Sequence, residues 1–243
     1  MRTLFLALLA TTSLSVMVAQ PVSAADLPLP PVYKAAPAPP AFSWTGFYAG
    51  IDGGGGWGQT SHTASIAITG VPGLPPLTTG NFNVNGGIIG GTLGYNYQVG
   101  QWVLGAETDL NWSNFKGTFN GAVVGVPFSL SSQLNWLDTT RVRIGWAYDR
   151  ALFYGTAGGA MGGLTASASA TAAILGIGAA ATLADTQTRF GWTAGAGIEY
   201  AVTNNISAKV EYLYVDLGSQ NQILLDNVKF TTSMVRGGVN LKF

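Results

Sequence analysis

Cysteine is absent from the 243-residue chain, and histidine occurs once, at His62. The first absence excludes disulfide frameworks, thiolate metal sites and a lipid-modified N-terminal cysteine. Charge is scarce too: 11 Lys and Arg balance 11 Asp and Glu, together 9% of the residues. A water-soluble domain usually carries about a quarter, so part of this surface faces something other than water. Zero net charge excludes the concentrated basic face that nucleic acid requires. A Ser nucleophile would need a positioned base, and His62 lies in QTSHTAS with no acid nearby. It reads as a solvated loop side chain. Gly-rich runs such as DGGGGWG lack the Lys and Ser/Thr of a phosphate loop. The chain does not read as an enzyme, and no catalytic residue, metal or cofactor is expected.

Long apolar runs are equally rare. Arg2 followed by the apolar stretch Leu4 to Val18, then Val22-Ser23-Ala24-Ala25-Asp26, has the order of a secretory signal peptide. The stretch is short of the ~20 residues a membrane-spanning helix needs. Cleavage is expected after Ala24, with a cut after Ala25 as the alternative, so residues 1–24 address the chain for export. Residues 25–41 form a Pro/Ala-rich periplasmic linker containing Pro28, Pro30, Pro31, Pro37, Pro39 and Pro40. Such a segment favours extended polyproline II and cannot join a sheet core. One later stretch, Leu164 to Leu183, also lacks charge, but it is mostly Ala, Ser, Thr and Gly, with few aliphatics to drive helix insertion.

The remainder, 42–243, alternates. In QWVLGAETDLNW, Trp102, Leu104, Ala106, Leu110 and Trp112 share one face, opposite Val103, Glu107, Asp109 and Asn111. Val142, Ile144, Trp146 and Tyr148 oppose Arg141 and Arg143. Phe190, Trp192, Ala194, Ala196, Ile198 and Tyr200 oppose Arg189, Thr193 and Glu199. Ala208, Val210, Tyr212 and Tyr214 oppose Lys209 and Glu211, and Val235, Val239, Leu241 and Phe243 oppose Arg236, Asn240 and Lys242. Period two marks strands with one apolar and one polar face. A soluble sandwich alternates as well. Here charges of both signs lie within the strands, and Trp and Tyr sit at strand ends. Apolar outside, polar inside and aromatics at both rims is the arrangement of a barrel in lipid, where an open sheet edge is not tolerated.

Eight strands are expected, near 44–57, 83–97, 102–112, 133–148, 152–163, 187–200, 207–216 and 231–243. Short connections alternate with long ones at about 58–82, 113–132, 164–186 and 217–230. The fold class is therefore all-β, an eight-stranded antiparallel transmembrane β-barrel with short periplasmic turns and longer external loops. For the fifth strand, LFYGTAGGAMGG leaves open whether Leu152 and Tyr154 or Phe153 faces lipid. The Ala-rich stretch after it reads as a hairpin arm above the membrane.

Several segments resemble the alphaproteobacterial outer-membrane β-barrel proteins, a porin-like family with an OmpA/OmpX-type membrane barrel. They are AADLP with the Pro-rich lead, FSWTGFYAGIDGGGGWG, GGTLGYNYQVGQWVLGAETDLNWS, TTRVRIGWAYDRALFYGTAGGA, FGWTAGAGIEYAVTNNISAKVEYLYVDLG and VRGGVNLKF. The resemblance implies an abundant structural protein of the Gram-negative outer membrane, surrounded by outer-membrane lipids and lipopolysaccharide. The terminal Phe243 resembles the signal read by the barrel-assembly machinery. Members of the family are joined to peptidoglycan through a mature Ala-Asp N-terminus, which implies that role for Ala25 and Asp26; an ordinary spacer is the other reading.

Eight strands leave an interior about wide enough for side chains. The alternation puts Asp52, Glu107, Asp109, Arg141, Arg143, Arg189, Glu199, Lys209, Glu211, Arg236 and Lys242 inside it. Their signs nearly balance, so a mutually paired network closing the lumen is expected. The resulting expectation is a structural barrel contributing to envelope integrity, with surface-exposed loops. A small porin conducting ions or small solutes is the alternative.

Overall fold

A computed structural model describes residues 42–64, 77–123, 126–170, 181–222 and 225–243. The expected leader and linker, including Ala24, Ala25 and Asp26, lie outside these residues, as does the side chain of His62. Eight strands are present: β1 (Gly46–Ala64), β2 (Leu77–Val99), β3 (Trp102–Val123), β4 (Val126–Tyr148), β5 (Ala151–Ala170), β6 (Ala181–Ala201), β7 (Ile206–Gln222) and β8 (Leu225–Lys242). Each runs antiparallel to the next, and β1 returns to β8 from Tyr48↔Lys242 to Thr63↔Asn227, which closes the barrel. At one end the connections are short, between Val99 and Trp102, Tyr148 and Ala151, and Ala201 and Ile206. Gly100 and Asp149 take φ of 60° and 51° in the first two, the left-handed values that tight hairpins require.

The strands are longer than the sequence suggests. A membrane crossing takes about 9–11 tilted residues, whereas these strands have 17 to 23. Two rings of aromatics bracket the crossing. Phe47 packs against Tyr95 and Trp102 against Trp146 at the end with the short turns; Trp57, Trp112, Phe190 and Trp192 lie about ten residues along their strands and are exposed. Between the rings the outward side chains are apolar, among them Ile51, Leu93, Leu104, Val142, Ile144, Ile198, Val210 and Val239.

Beyond the second ring the polarity inverts. Outward positions become Gln59, Asn83, Lys116, Thr118, Asn120, Ser131, Thr165 and Thr186, while Val84, Phe115, Leu130, Leu134, Leu164, Val215 and Phe230 turn inward and are buried. The upper wall is built as a water-soluble barrel and the lower wall as a membrane barrel. Much of the expected 58–82, 113–132, 164–186 and 217–230 loop sequence is therefore strand. The Ala-rich arm is one such extension, paired from Leu164↔Gln187 to Ala170↔Ala181.

β4 changes phase where the two regimes meet. Its inward residues are Leu130, Ser132 and Leu134 above, but Leu137, Thr139, Arg141 and Arg143 below. A bulge between Leu134 and Trp136 inserts Asn135, and one extra residue moves all that follow to the opposite face. In β5, Leu152 and Tyr154 face inward and Phe153 faces out.

Candidate functional site

The barrel interior is the most elaborated part of the molecule, and it is stacked in layers. At the periplasmic end Trp44 folds inward with Val103, Ala147, Leu152 and Ala201 in an apolar cluster, backed by Phe42. The backbone N–H of Trp44 donates to Gln98 Oε1 at 2.7 Å, which fixes the chain where the side chain turns in. The recess beside it encloses about 10 Å³, room for about one water.

Above this lies a charged layer. Arg141 on β4 donates to Glu107 Oε1 at 2.5 Å and Asp109 Oδ2 at 3.0 Å on β3, and to Glu211 Oε1 at 2.5 Å on β7. Arg236 on β8 reaches Asp52 Oδ1 at 3.4 Å and Glu211 Oε1 at 3.0 Å, and it also pairs with Asp109. Arg143 joins Glu199 at 2.7 Å and Glu107 at 3.4 Å, and Lys209 joins Glu107 at 3.1 Å. All nine side chains are at most 3% exposed. Charges taken out of water this completely persist only with such mutual partners. Arginine is suited to the task because its planar fork serves carboxylates on two strands at once.

Neutral groups complete the layer. Tyr48 donates to Glu107 Oε2 and Tyr154 to Glu211 Oε2, both at 2.8 Å. The Arg143 guanidinium lies 3.9 Å from the Tyr154 ring centroid, a cation–π contact. Ser207 and Asn240 both donate to Glu199 Oε1, and Thr139 donates to Asp109. These contacts explain the facing of β5, since turning Tyr154 outward would strip Glu211 of a donor. A Cβ on Gly94 would collide with the Tyr48 ring, so this glycine lets the tyrosine lie across the wall.

A third, apolar layer covers the charges on the external side. Ile88, Phe115, Leu134, Leu137, Leu213, Phe230 and Met234 belong to one buried cluster, against which Phe128 packs.

Nine of the eleven expected interior charges thus meet in one network. The other two lie elsewhere. Arg189 is buried on β6 opposite Gly162, farther toward the external end. Lys242 sits at the periplasmic rim, bonded to the Ser43 carbonyl and 4.6 Å from the Phe42 ring. Phe243 is exposed beside it, its N–H donating to Phe47 O at 2.9 Å. Sequence reasoning missed the two apolar layers and the tyrosine donors. The inward alternation of Phe115 with Gly117 and Phe119, and of Leu130 with Leu134, carried that signal.

Among the described residues no group of three or more His, Asp or Glu side chains is placed to hold a metal ion. No helix there is long and apolar enough to cross a membrane.

Residues 6–243 match the family described as the outer membrane protein beta-barrel domain. The chain is 38% identical to a 31 kDa outer-membrane immunogenic protein of Brucella melitensis, over 95% of this chain and 97% of that one. It is 32% identical to a 22 kDa outer membrane protein of Rhizobium leguminosarum, over 86% and 82% of the two chains. Among solved structures, Neisserial surface protein A aligns over 82% of this chain and 98% of its own, with 18% identity and a TM-score of 0.42. The outer membrane protease OmpT of Escherichia coli aligns over 84% and 99%, with 10% identity and a TM-score of 0.49. An eight-stranded barrel, a lipid-facing belt between aromatic rings, the family match and the Brucella and Rhizobium relatives agree: the chain belongs to the outer-membrane β-barrel protein family and resides in the outer membrane, among its lipids and lipopolysaccharide.

Proposed function

We propose that this protein is a structural, non-enzymatic component of the envelope, its lumen filled rather than conducting and its mature N-terminus fastened to peptidoglycan. The observation that carries the first part is the stack inside the barrel. A paired charge layer lies between two apolar layers, so a hydrated ion would meet a desolvating barrier at each end and paired charges between. Planar-bilayer recording of the purified protein is expected to give a flat baseline. Stable stepwise conductance would instead identify it as a small porin for ions or small solutes.

The anchoring part rests on Ala25 and Asp26 together with the linker. Polyproline II extends about 3.1 Å per residue, so residues 25–41 supply much of the reach from barrel to wall. Cleavage after Ala24 frees the Ala25 α-amine for an amide link to a peptidoglycan stem peptide. Sacculi digested with muramidase are expected to release barrel carrying a muropeptide on Ala25, and unmodified N-termini alone would reject the link. Phe243, at the end of β8, is assigned to recognition by the barrel-assembly machinery. The Brucella relatives are named as immunogenic proteins, which supports exposure of the external hairpins at the cell surface.

A further inference from the structure

The outer wall changes solvent at Trp57, and there it carries a groove of about 450 Å³. Two register rows cross it. One runs Asn85, Trp57, Ser233, Tyr214, and the row above runs Asn83, Gln59, Thr231, Asp216. All belong to the outward face, and the Trp57 ring is 59% exposed. An aromatic plate ringed by amides and hydroxyls matches a saccharide, whose C–H face stacks on the ring while its hydroxyls meet polar groups beside it. Few convergent polar groups around an apolar surface is also the general form of a ligand site. One row higher stands Lys229, opposite Ser61; its side chain is 50% exposed and 3.8 Å from Asp216. It offers a cation to an acidic substituent on the sugar.

Below Trp57 the same strip enters the lipid belt and loses its side chains. Gly53 and Gly55 face outward on β1, Gly237 beside them on β8 and Gly87 on β2. Inward glycines on the same strand are sterically required, since a Cβ on Gly54 would collide with the backbone of Val235 and Arg236. At Gly53, Gly55 and Gly237 a Cβ would come no closer than 3.4 Å to any neighbour. Packing does not demand those glycines. They leave a strip without side chains between Ile89 on β2 and Val235 and Val210 on β8 and β7, starting one outward step below Trp57 and so continuous with the groove.

We propose that β1, β2, β7 and β8 form a binding site for one saccharide-headed lipid of the outer leaflet, its sugar on Trp57 and a chain along Gly55 and Gly53. Continuity of a sugar-type groove with a lipid-facing strip selects this occupant over a free glycan, which would leave the strip unused.

The test uses full-length protein in nanodiscs containing phosphatidylglycerol with or without purified lipid A, read by native mass spectrometry. Wild type is expected to retain one lipid A molecule in preference to phosphatidylglycerol. Trp57→Ala and Gly55→Leu should each reduce that retention about tenfold, the scale of losing one main binding contact. Trp102→Ala, the same change on the periplasmic ring, should leave it unaltered. Heat-modifiable migration on a gel verifies that each variant is closed, and none of the three positions is buried. Equal retention of phosphatidylglycerol, or no difference between Trp57→Ala and Trp102→Ala, would overturn the site.

Discussion

Arg141 touches three carboxylates from two strands, and no other residue type could do so from one position. Its removal takes a cation from Glu107, Asp109 and Glu211 and leaves them to share Arg143, Lys209 and Arg236, and breaking a buried pair by deleting one partner costs about 3–5 kcal/mol. Arg141→Met is therefore expected to lower stability by that amount in urea refolding into lipid vesicles. Arg141→Lys should also lose most of the effect, because a point charge cannot span the same partners. Lys242→Met, changed at the half-exposed rim, should stay within about 1 kcal/mol of wild type. An equal loss for Lys242→Met and Arg141→Met would refute a special standing for the network. The charges themselves were legible in the sequence because each sits at an inward step of a period-two pattern. Their balanced signs also implied that they pair, but not which partner each takes, since Arg141 and Glu211 lie 70 residues apart and meet only across the closed lumen.

At the scale of the strand, the inversion of polarity halfway up is the main feature. Ala106 and Thr118 both point outward on β3, one in the lipid belt and one above the second aromatic ring. An arginine in the middle of the belt costs about 2–4 kcal/mol, falling toward zero outside it. Ala106→Arg should therefore destabilise the folded barrel by that amount and Thr118→Arg hardly at all, measured by the same refolding titration. Similar costs at the two sites would move the membrane boundary. The lower strand halves were readable because large apolar and charged residues alternate there. The upper halves read as loops for a physical reason: their outward face is Ser, Thr, Asn and Gly, the residues that also make turns. On β4 the inserted Asn135 further shifts the phase, so a single alternation cannot be followed from Leu130 to Arg143.

At the scale of the molecule, the three interior layers act as seals in series. Opening one leaves the others shut. Phe115→Ala with Phe230→Ala, which thins the external layer, should still give silent bilayers. Adding Trp44→Ala, Arg141→Ser and Glu107→Ser should give discrete conductance steps in preparations that still show heat-modifiable migration. Conductance from the external-layer variant alone would show that this layer is the only seal. The number of strands, their antiparallel order and the outward belt all followed from the sequence. The layering did not, because it depends on which residues from eight strands share one height.

The soluble-type upper wall has a consequence for display. About ten residues beyond the outer aromatic ring, at ~3.3 Å per residue and ~40° of tilt, raise the hairpin ends on the order of 25 Å above the lipid. The wall below them has a packed apolar interior of its own, so it stands as a rigid pedestal rather than a fringe. Sequence between Val123 and Val126 can then diverge, or carry an inserted epitope, without disturbing either the bilayer-facing belt or the charges that lock it.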